Sequence, residues 1–329
     1  MTRPLVVAGS RMLPAALREL KTFARTQVNR HETPWTQTEL GLHATQADAI
    51  IAFMPDRIDA ALLARCPRLR LVAGALKGAD NIDLVACAAH GVQVSVVEDL
   101  LSIPTAELAL ALTLGLLRRV REGDVQVRQG HDGWRPALYG SSLVGGTVGM
   151  LGMGSVGRAL ARLLAGLVTR IVYHDPQRLP AAEETALHLH WCSAAELPAA
   201  CGQALILVCP LTAGTAGWLS AARLRRLARD AVVVNVGRGS VADETAVLAA
   251  LTTGRLAGYA ADVFAFEDLS RTDRPPAVAS ALLAHPRTLF TPHLGSAVLP
   301  VRLAIERQAV AAVRTGLATS PRAEGPLPI

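Results

Sequence analysis

The amino-acid sequence predicts an α/β protein built on two parallel β-sheets. Short apolar runs rich in β-branched residues alternate with segments rich in Ala, Leu and Arg. Continuous apolar runs of this length are typical of parallel strands that helices cover on both faces. The runs form two series, at residues 5–97 and 147–291, with a long helical segment between them. Two series separated in this way indicate two α/β domains rather than one large sheet.

The first series contains four predicted strands and the second contains six. Each is bounded by turn-forming residues or by a helical segment. In chain order the predicted strands are Leu5–Ala8, Ala49–Phe53, Leu69–Ala75, Val92–Val97, Thr147–Gly152, Arg170–Asp175, Ala204–Cys209, Ala231–Val236, Gly258–Phe264 and Thr288–Thr291.

Two helical segments complete the domain organisation. Ser102–Gly130 has the start and stop signals of one long helix, with a proline near its start and a glycine at its end. Val298–Gly316 is also predicted to be helical, and it returns the chain to the first domain. The predicted domains are therefore residues 1–100 with 297–329, and residues 101–296.

Composition and charge exclude several classes of protein. The 329 residues are 51% hydrophobic and 18% charged, which indicates a folded chain. The net charge of +6 suits an acidic ligand, but no basic run suggests nucleic-acid binding. The five cysteines lack metal-binding spacing and indicate reduced thiols. We therefore expect a cytoplasmic protein with no bound metal and no nucleic-acid or membrane partner.

The segment Gly152-Met-Gly154-Ser155-Val156-Gly157 follows a predicted strand and precedes a predicted helix. Such a turn lets backbone approach a pyrophosphate at the helix N-terminus, and the motif predicts a dinucleotide site. A glycine-rich turn without a ligand is the alternative. Asp175 ends the next strand, where it could bind a ribose 2′-hydroxyl and repel a 2′-phosphate. This favours NAD over NADP, although Arg178 could weaken the preference.

Three polar residues follow late strands and are candidates for catalysis. They are Arg238, Glu267 and His293. Because open α/β sheets bind ligands at the carboxyl ends of their strands, these three side chains are expected at a ligand site. The arginine could hold an anion with two hydrogen bonds. The histidine could move a proton near neutral pH, and the glutamate could orient its ring. Asp262 follows the same strand as Glu267 and is expected near the nicotinamide.

These motifs resemble the D-2-hydroxyacid dehydrogenase family and, within it, most closely the phosphite (phosphonate) dehydrogenases. The closer resemblance rests on Ala52-Phe-Met54-Pro-Asp, Ala75-Leu-Lys77-Gly-Ala-Asp80-Asn81, Gly133-Trp134-Arg-Pro-Ala-Leu-Tyr139 and Thr291-Pro-His293-Leu-Gly-Ser296. The resemblance implies two Rossmann-like domains, one a flavodoxin-like substrate domain and the other a dinucleotide-binding domain. It also implies a homodimer joined through the dinucleotide-binding domains.

The same resemblance implies oxidation of phosphite to phosphate, with NAD⁺ as hydride acceptor and water as nucleophile. His293, Arg238, Glu267 and Lys77 would be catalytic. The substrate pocket would also include Met54, Gly78, Arg302, Ser296 and Tyr139. Cofactor contacts would come from Gly152, Gly154, Ser155, Val156, Gly157, Asp175, Cys209, Pro210, Thr215, Val236, Gly237, Asp262 and Thr105.

Other interpretations of the same residues stay open. A reductase of glyoxylate, hydroxypyruvate or another 2-keto acid could use the same arginine, glutamate and histidine. An NAD-sensing regulator that binds a protein partner could use the same fold. Lys77 could be a solvated loop residue, and Arg302 could be structural or solvent-facing. Met54 could simply belong to the core.

Overall fold

The computed structural model describes residues 3–97, 99–130, 133–134 and 138–319. The sequence predictions that fall on residues 98, 131–132, 135–137 and 320–329 lie outside the described residues. The chain divides into two compact units. The first unit contains Met1–Leu100 and Val298–Ile329, and the second contains Leu101–Ala297.

The first unit is a five-stranded parallel sheet with helices. Its elements are β1 (Leu5–Ala8), α1 (Pro14–Lys21), β2 (Arg25–Val28), α2 (Gln37–Ala44), β3 (Ala49–Ala52), α3 (Ala60–Ala64), β4 (Leu71–Gly74), α4 (Leu84–Ala89), β5 (Gln93–Ser95) and α13 (Leu299–Thr319). The strand order is β2-β1-β3-β4-β5. Every residue of β3 and β4 is buried, as expected for central strands covered on both faces.

The second unit is a seven-stranded parallel sheet with the order β12-β11-β10-β9-β6-β7-β8. Its strands are β6 (Thr147–Leu151), β7 (Arg170–His174), β8 (Leu189–Trp191), β9 (Ala204–Leu207), β10 (Val232–Asn235), β11 (Gly258–Ala261) and β12 (Thr288–Phe290). Its helices are α5 (Ser102–Leu117), α6 (Val120–Arg128), α7 (Ser155–Leu164), α8 (Ala181–Ala186), α9 (Leu197–Ala200), α10 (Ala221–Leu224), α11 (Glu244–Thr252) and α12 (Ser280–Ala284), with 3₁₀ turns at Gly239–Val241 and Ala265–Glu267.

The order of the seven strands reverses direction between β6 and β9. Strands β7 and β8 lie on one side of β6, and β9 to β12 lie on the other. Ligands of open α/β sheets bind beyond the carboxyl ends of the strands at such a switch point. This arrangement brings the segments that follow β6, β10, β11 and β12 to one edge of the sheet.

The predicted α/β class with two parallel sheets is confirmed. The structure adds two strands that the sequence did not predict, β2 and β8. Both are edge strands, and their residues Arg25-Thr-Gln-Val28 and Leu189-His-Trp191 lack a continuous apolar run. Most predicted strands also extend one to three residues past the observed ones, because apolar residues continue into the loops at the sheet edge.

The prediction of one long helix over Ser102–Gly130 was wrong. Two helices, α5 and α6, occupy this segment, and Arg119 between them has a left-handed backbone with φ of 54°. A left-handed residue ends a right-handed helix, whatever the helix propensity of its neighbours. The second predicted helix is observed as α13, which packs on β3, β4 and α1 of the first unit. No helix among the described residues is long and apolar enough to cross a membrane.

Candidate active site

The glycine-rich turn between β6 and α7 has the geometry of a dinucleotide cradle. Gly152 has a φ of 100°, and a Cβ atom there would lie 2.9 Å from the backbone nitrogen of Cys209. A Cβ atom on Gly157 would lie 2.8 Å from the carbonyl oxygen of Gly152. Around Gly154 the space is open, and α7 begins after it without a side-chain cap. An uncapped helix N-terminus in open space fits a pyrophosphate.

Asp175 lies beside this turn, immediately after β7. Its Oδ2 accepts a hydrogen bond of 2.8 Å from the backbone N–H of Met153, and its Oδ1 accepts one of 3.0 Å from Gln177. These bonds fix the carboxylate next to the glycine-rich segment and leave lone pairs for further donors. A ribose hydroxyl is such a donor, so the turn and the acid together fit the adenosine half of a dinucleotide.

His293 and Glu267 form a hydrogen-bonded pair. The Nδ1 atom of His293 lies 2.7 Å from Oε2 of Glu267, and both side chains are partly buried. Glu267 ends the 3₁₀ turn that follows β11, and His293 lies in the loop that follows β12. A carboxylate at Nδ1 favours the tautomer with its proton on that atom. The other ring nitrogen, Nε2, can then accept a proton from a reacting group.

The loop that carries His293 is held by Asp262, which is 1% exposed. The Asp262 carboxylate accepts hydrogen bonds of 2.6 Å from the Thr291 hydroxyl and the Leu294 N–H, and one of 2.8 Å from Gly295. Its backbone oxygen accepts from the N–H of His293. His293 has a φ of 55°, an unusual backbone for a residue other than glycine. Asp262 thus holds the otherwise unfavourable backbone turn at His293. Its contact with the nicotinamide stays a prediction.

Arg238 lies at the start of the 3₁₀ turn that follows β10. A Cβ atom on Gly239 would lie 1.8 Å from the carbonyl carbon of Phe264, so this turn packs directly against the turn that carries Glu267. The buried carboxylate of Asp268 joins the two turns, because it accepts a 2.6 Å hydrogen bond from the N–H of Ser240. The structure therefore links the turn of Arg238 to the Glu267–His293 pair.

Two of these supporting acids were missed by the sequence analysis. Asp268 is one and Glu244 is the other. Glu244 supports the turn that carries Glu267, because its Oε1 accepts a 2.9 Å hydrogen bond from the N–H of Ala265. Burial, followed by the neighbouring Asp268 and Glu267 carboxylates, raises the pKa of Glu244, while the bond from Ala265 lowers it. The position of Asp268 directly after the predicted catalytic acid was the one available signal. Nothing in the sequence around Glu244 indicates its contact.

In the first unit, two predicted site residues follow neighbouring strands. Met54 lies two residues beyond β3 and Lys77 lies three residues beyond β4, with Gly78 next to it. Lys77 is partly buried, and its Nζ lies 3.5 Å from Oδ1 of Asp99. The roles of Met54, Lys77 and Gly78 in binding substrate stay predictions.

Arg302 on α13 is partly buried and makes contacts within the first unit, which favours the structural one of the two interpretations left open. Its Nη1 donates a 3.2 Å hydrogen bond to the carbonyl oxygen of Ala75, and its guanidinium lies 5.8 Å from the ring centroid of Phe53. Burial lowers the pKa of Arg302, and the nearby Glu306 acts in the opposite direction. Arg302 therefore places a partly buried positive charge beside the segments that follow β3 and β4.

The remaining predicted contacts lie in loops of the second unit, at the start of α5 or at the start of α7. Burial raises the pKa of Cys209 to about 12, so this thiol is neutral. Tyr139 is largely exposed, and the described chain does not enclose its ring. Contacts to cofactor or substrate stay predictions for Ser155, Val156, Cys209, Pro210, Thr215, Val236, Gly237, Thr105, Ser296 and Tyr139.

Comparison with known proteins gives one consistent family. Residues 110–295 match the model for the D-isomer specific 2-hydroxyacid dehydrogenase, NAD binding domain. The chain is 34% identical over 310 residues to a glyoxylate reductase of Aeropyrum pernix, with 92% of this chain and 90% of that protein covered. It is 32% identical over 269 residues to a glycerate dehydrogenase of Hyphomicrobium methylovorum, with 81% of each covered.

Solved structures show the same likeness. A putative D-isomer specific 2-hydroxyacid dehydrogenase from Polaromonas sp. JS6 66 superposes with a TM-score of 0.87 at 28% identity, covering 98% of this chain and 99% of that one. An NADPH-dependent glyoxylate/hydroxypyruvate reductase from Sinorhizobium meliloti, in complex with NADP and malonate, gives a TM-score of 0.82 at 28% identity and covers 98% and 96%.

The hydrogen bonds of Asp262 lead to a stability prediction. Asp262→Ala leaves three donors without their acceptor, and we expect the free energy of unfolding to fall by at least about 2 kcal/mol. Urea unfolding followed by tryptophan fluorescence measures the change. The control is Asp273→Ala, an exposed acid that pairs with Arg271, with an expected loss below about 0.5 kcal/mol. Equal losses in the two variants would contradict the role given to Asp262.

Proposed function

Because the chain belongs to the D-isomer specific 2-hydroxyacid dehydrogenase family, we propose that it moves a hydride between a nicotinamide dinucleotide and a small anionic substrate. Membership of the family makes it an oxidoreductase with an NAD-binding domain. The observation that carries the proposal is the 2.7 Å hydrogen bond between His293 and Glu267. It supplies an oriented proton-transfer group at the edge of the sheet that carries the glycine-rich turn.

His293, Glu267 and Arg238 of the second unit each have a distinct task in this reaction. The nicotinamide, when bound, supplies the hydride donor or acceptor. Nε2 of His293 gives a proton to the substrate during reduction and takes one during oxidation. Glu267 holds the imidazole ring in place through its hydrogen bond to Nδ1. Arg238 binds an anionic oxygen of the substrate through its planar guanidinium.

The preferred dinucleotide is proposed to be NAD. The support is the Asp175 carboxylate, whose negative charge lies beside the glycine-rich turn where the adenosine ribose would bind. A 2′-phosphate there would meet like charge. The Sinorhizobium relative is described as NADPH-dependent, so the preference of this chain rests on its own residues and not on the family.

A 2-oxoacid such as glyoxylate is the substrate that the comparisons favour. Relatives that align with about nine-tenths of the chain are named glyoxylate reductases. Glyoxylate carries a carboxylate for Arg238 and a carbonyl oxygen that can accept a proton from His293. The proposed reaction is therefore the reversible reduction of such an oxoacid to its 2-hydroxy acid.

Phosphite is a second candidate, and a specific observation favours it. The first unit carries two partly buried cations, Lys77 and Arg302, beside the ends of β3 and β4. At an effective dielectric of 20, a cation 4 Å from a unit negative charge contributes about 4 kcal/mol, which suits a substrate with two charges. In this reaction the P–H bond breaks and its electron pair leaves as hydride. His293 takes a proton from the water whose oxygen forms the new P–O bond.

A homodimer and a cytoplasmic location complete the proposal. Helix α6 and the segment after it expose several large apolar side chains, among them Val127, Trp134 and Val144. Exposed apolar side chains in one stretch are typical of protein–protein contacts. They support an association through the second unit, as the family resemblance implies.

His293→Ala separates chemistry from cofactor binding. We expect turnover to fall by roughly 10²-fold to 10⁴-fold because the proton-transfer group is lost. Binding of NADH, followed by its fluorescence, should stay within about twofold of the wild type, since the glycine-rich turn is unaltered. Loss of both turnover and NADH binding would mean that His293 was assigned the wrong role.

The two substrates are distinguished by one set of assays. Wild-type protein is supplied with NAD⁺ and phosphite, and separately with NADH and glyoxylate, while NADH absorbance is followed. Lys77→Ala should reduce kcat/KM for phosphite by about tenfold to a hundredfold if Lys77 binds this dianion. Lys21→Ala is the matched control, because Lys21 and Lys77 are the two lysines of the chain. Consumption of NADH with glyoxylate and no reaction with phosphite would rule out the second candidate.

A further inference from the structure

Arg178 lies three residues after Asp175, in the loop between β7 and α8. In dinucleotide-binding domains an acid at the end of this strand selects the ribose hydroxyl, and a nearby arginine can instead accommodate a 2′-phosphate. This chain has both residues. The position of Arg178 alone therefore leaves open whether the site rejects NADP or tolerates it.

The guanidinium of Arg178 is bound to the carboxylate of Glu184. Its Nε donates a 2.9 Å hydrogen bond to Oε1, and its Nη2 donates a 2.8 Å hydrogen bond to Oε2. Such a two-bond pair has a fixed geometry as well as a favourable charge interaction. Hydrogen bonding to Arg178 holds the pKa of Glu184 below its usual value, so the carboxylate is charged.

Glu184, and not Arg178, is the fixed member of this pair. The side chain of Glu184 is 9% exposed, whereas that of Arg178 is 61% exposed. Oε1 of Glu184 also accepts a 2.8 Å hydrogen bond from the hydroxyl of Tyr173, a fully buried residue of β7. That hydroxyl accepts in turn from the N–H of Leu179. The carboxylate is thus anchored in the core, and the arginine is anchored to the carboxylate.

We propose that Glu184 is a specificity-determining residue for the dinucleotide, because it keeps Arg178 in a two-bond pair and away from a 2′-phosphate. The inference rests on the proposed function only in that a nicotinamide dinucleotide binds at the Gly152–Gly157 turn. A 2′-phosphate could recruit Arg178 only by leaving a nearly buried carboxylate without its charged partner. Rejection of NADP then has two sources, the repulsion by Asp175 and the retention of Arg178 by Glu184.

The direct test is Glu184→Gln in the full chain. Glutamine keeps the shape of the side chain and can still accept the Tyr173 hydrogen bond, but it no longer holds the guanidinium by charge. Dissociation constants for NADPH and NADH are measured by nucleotide fluorescence, so no substrate is needed. We expect the ratio of the NADPH constant to the NADH constant to fall about tenfold or more, with the NADH constant nearly unaltered. An unaltered ratio would overturn the proposal.

The matched control is Glu183→Gln, one residue earlier on the same helix. It removes the same charge, but Glu183 pairs with Arg158 at 3.2 Å and not with Arg178. The ratio should not change in this variant. An equal fall in both variants would show a general charge effect and would also overturn the proposal. In the double variant Glu184→Gln, Arg178→Gln the ratio should return to its wild-type value.

Arg178→Gln alone tests the proposal without altering the buried carboxylate. If Glu184 retains the arginine, this variant should bind NADPH as weakly as the wild type. Weaker binding of NADPH in Arg178→Gln would mean that the arginine already reaches the 2′-phosphate, against the proposal. Failure of the wild type to bind either nucleotide would instead contradict the proposed function.

Discussion

The buried carboxylate of Asp262 is the interaction on which the candidate site depends. It accepts three hydrogen bonds from the loop that follows β12. It lies immediately after β11, three residues before the start of the turn that carries Glu267. One residue thus fixes the loop of His293 relative to the strand that leads to its partner. The three hydrogen bonds stabilise the buried carboxylate and offset the cost of the left-handed backbone at His293.

The parallel sheet explains why residues far apart in sequence belong to one site. Arg238, Glu267 and His293 follow β10, β11 and β12, three neighbouring strands whose carboxyl ends share one edge. The sequence could predict this gathering because buried strands have a clear apolar signal and parallel strands point in one direction. The glycine-rich turn could be predicted for a similar reason, since the backbone at Gly152 excludes a side chain.

Other features depend on contacts that leave no local pattern. Edge strands β2 and β8 bury little and therefore lack an apolar run. The break between α5 and α6 is caused by the left-handed backbone of Arg119, which the residue types around it do not predict. The partial burial of Arg302 and the pairing of Arg178 with Glu184 depend on tertiary neighbours. A chain with 33 lysines and arginines gives no means of singling these two out. The family is established by comparison with known proteins. The choice of substrate depends on side chains whose positions are set by tertiary contacts, and these are the positions that the sequence predicts least well.

The most direct test of the central claim is the rate of hydride transfer in Glu267→Gln, measured in a single turnover with the substrate that the wild type uses. The amide keeps the size of the carboxylate but carries no negative charge to pair with the His293 ring. We expect a rate lower by roughly 10²-fold or more, with NADH bound as tightly as by the wild type. A rate equal to that of the wild type would contradict the role given to Glu267, because the hydrogen-bonded pair would then have no part in the chemistry.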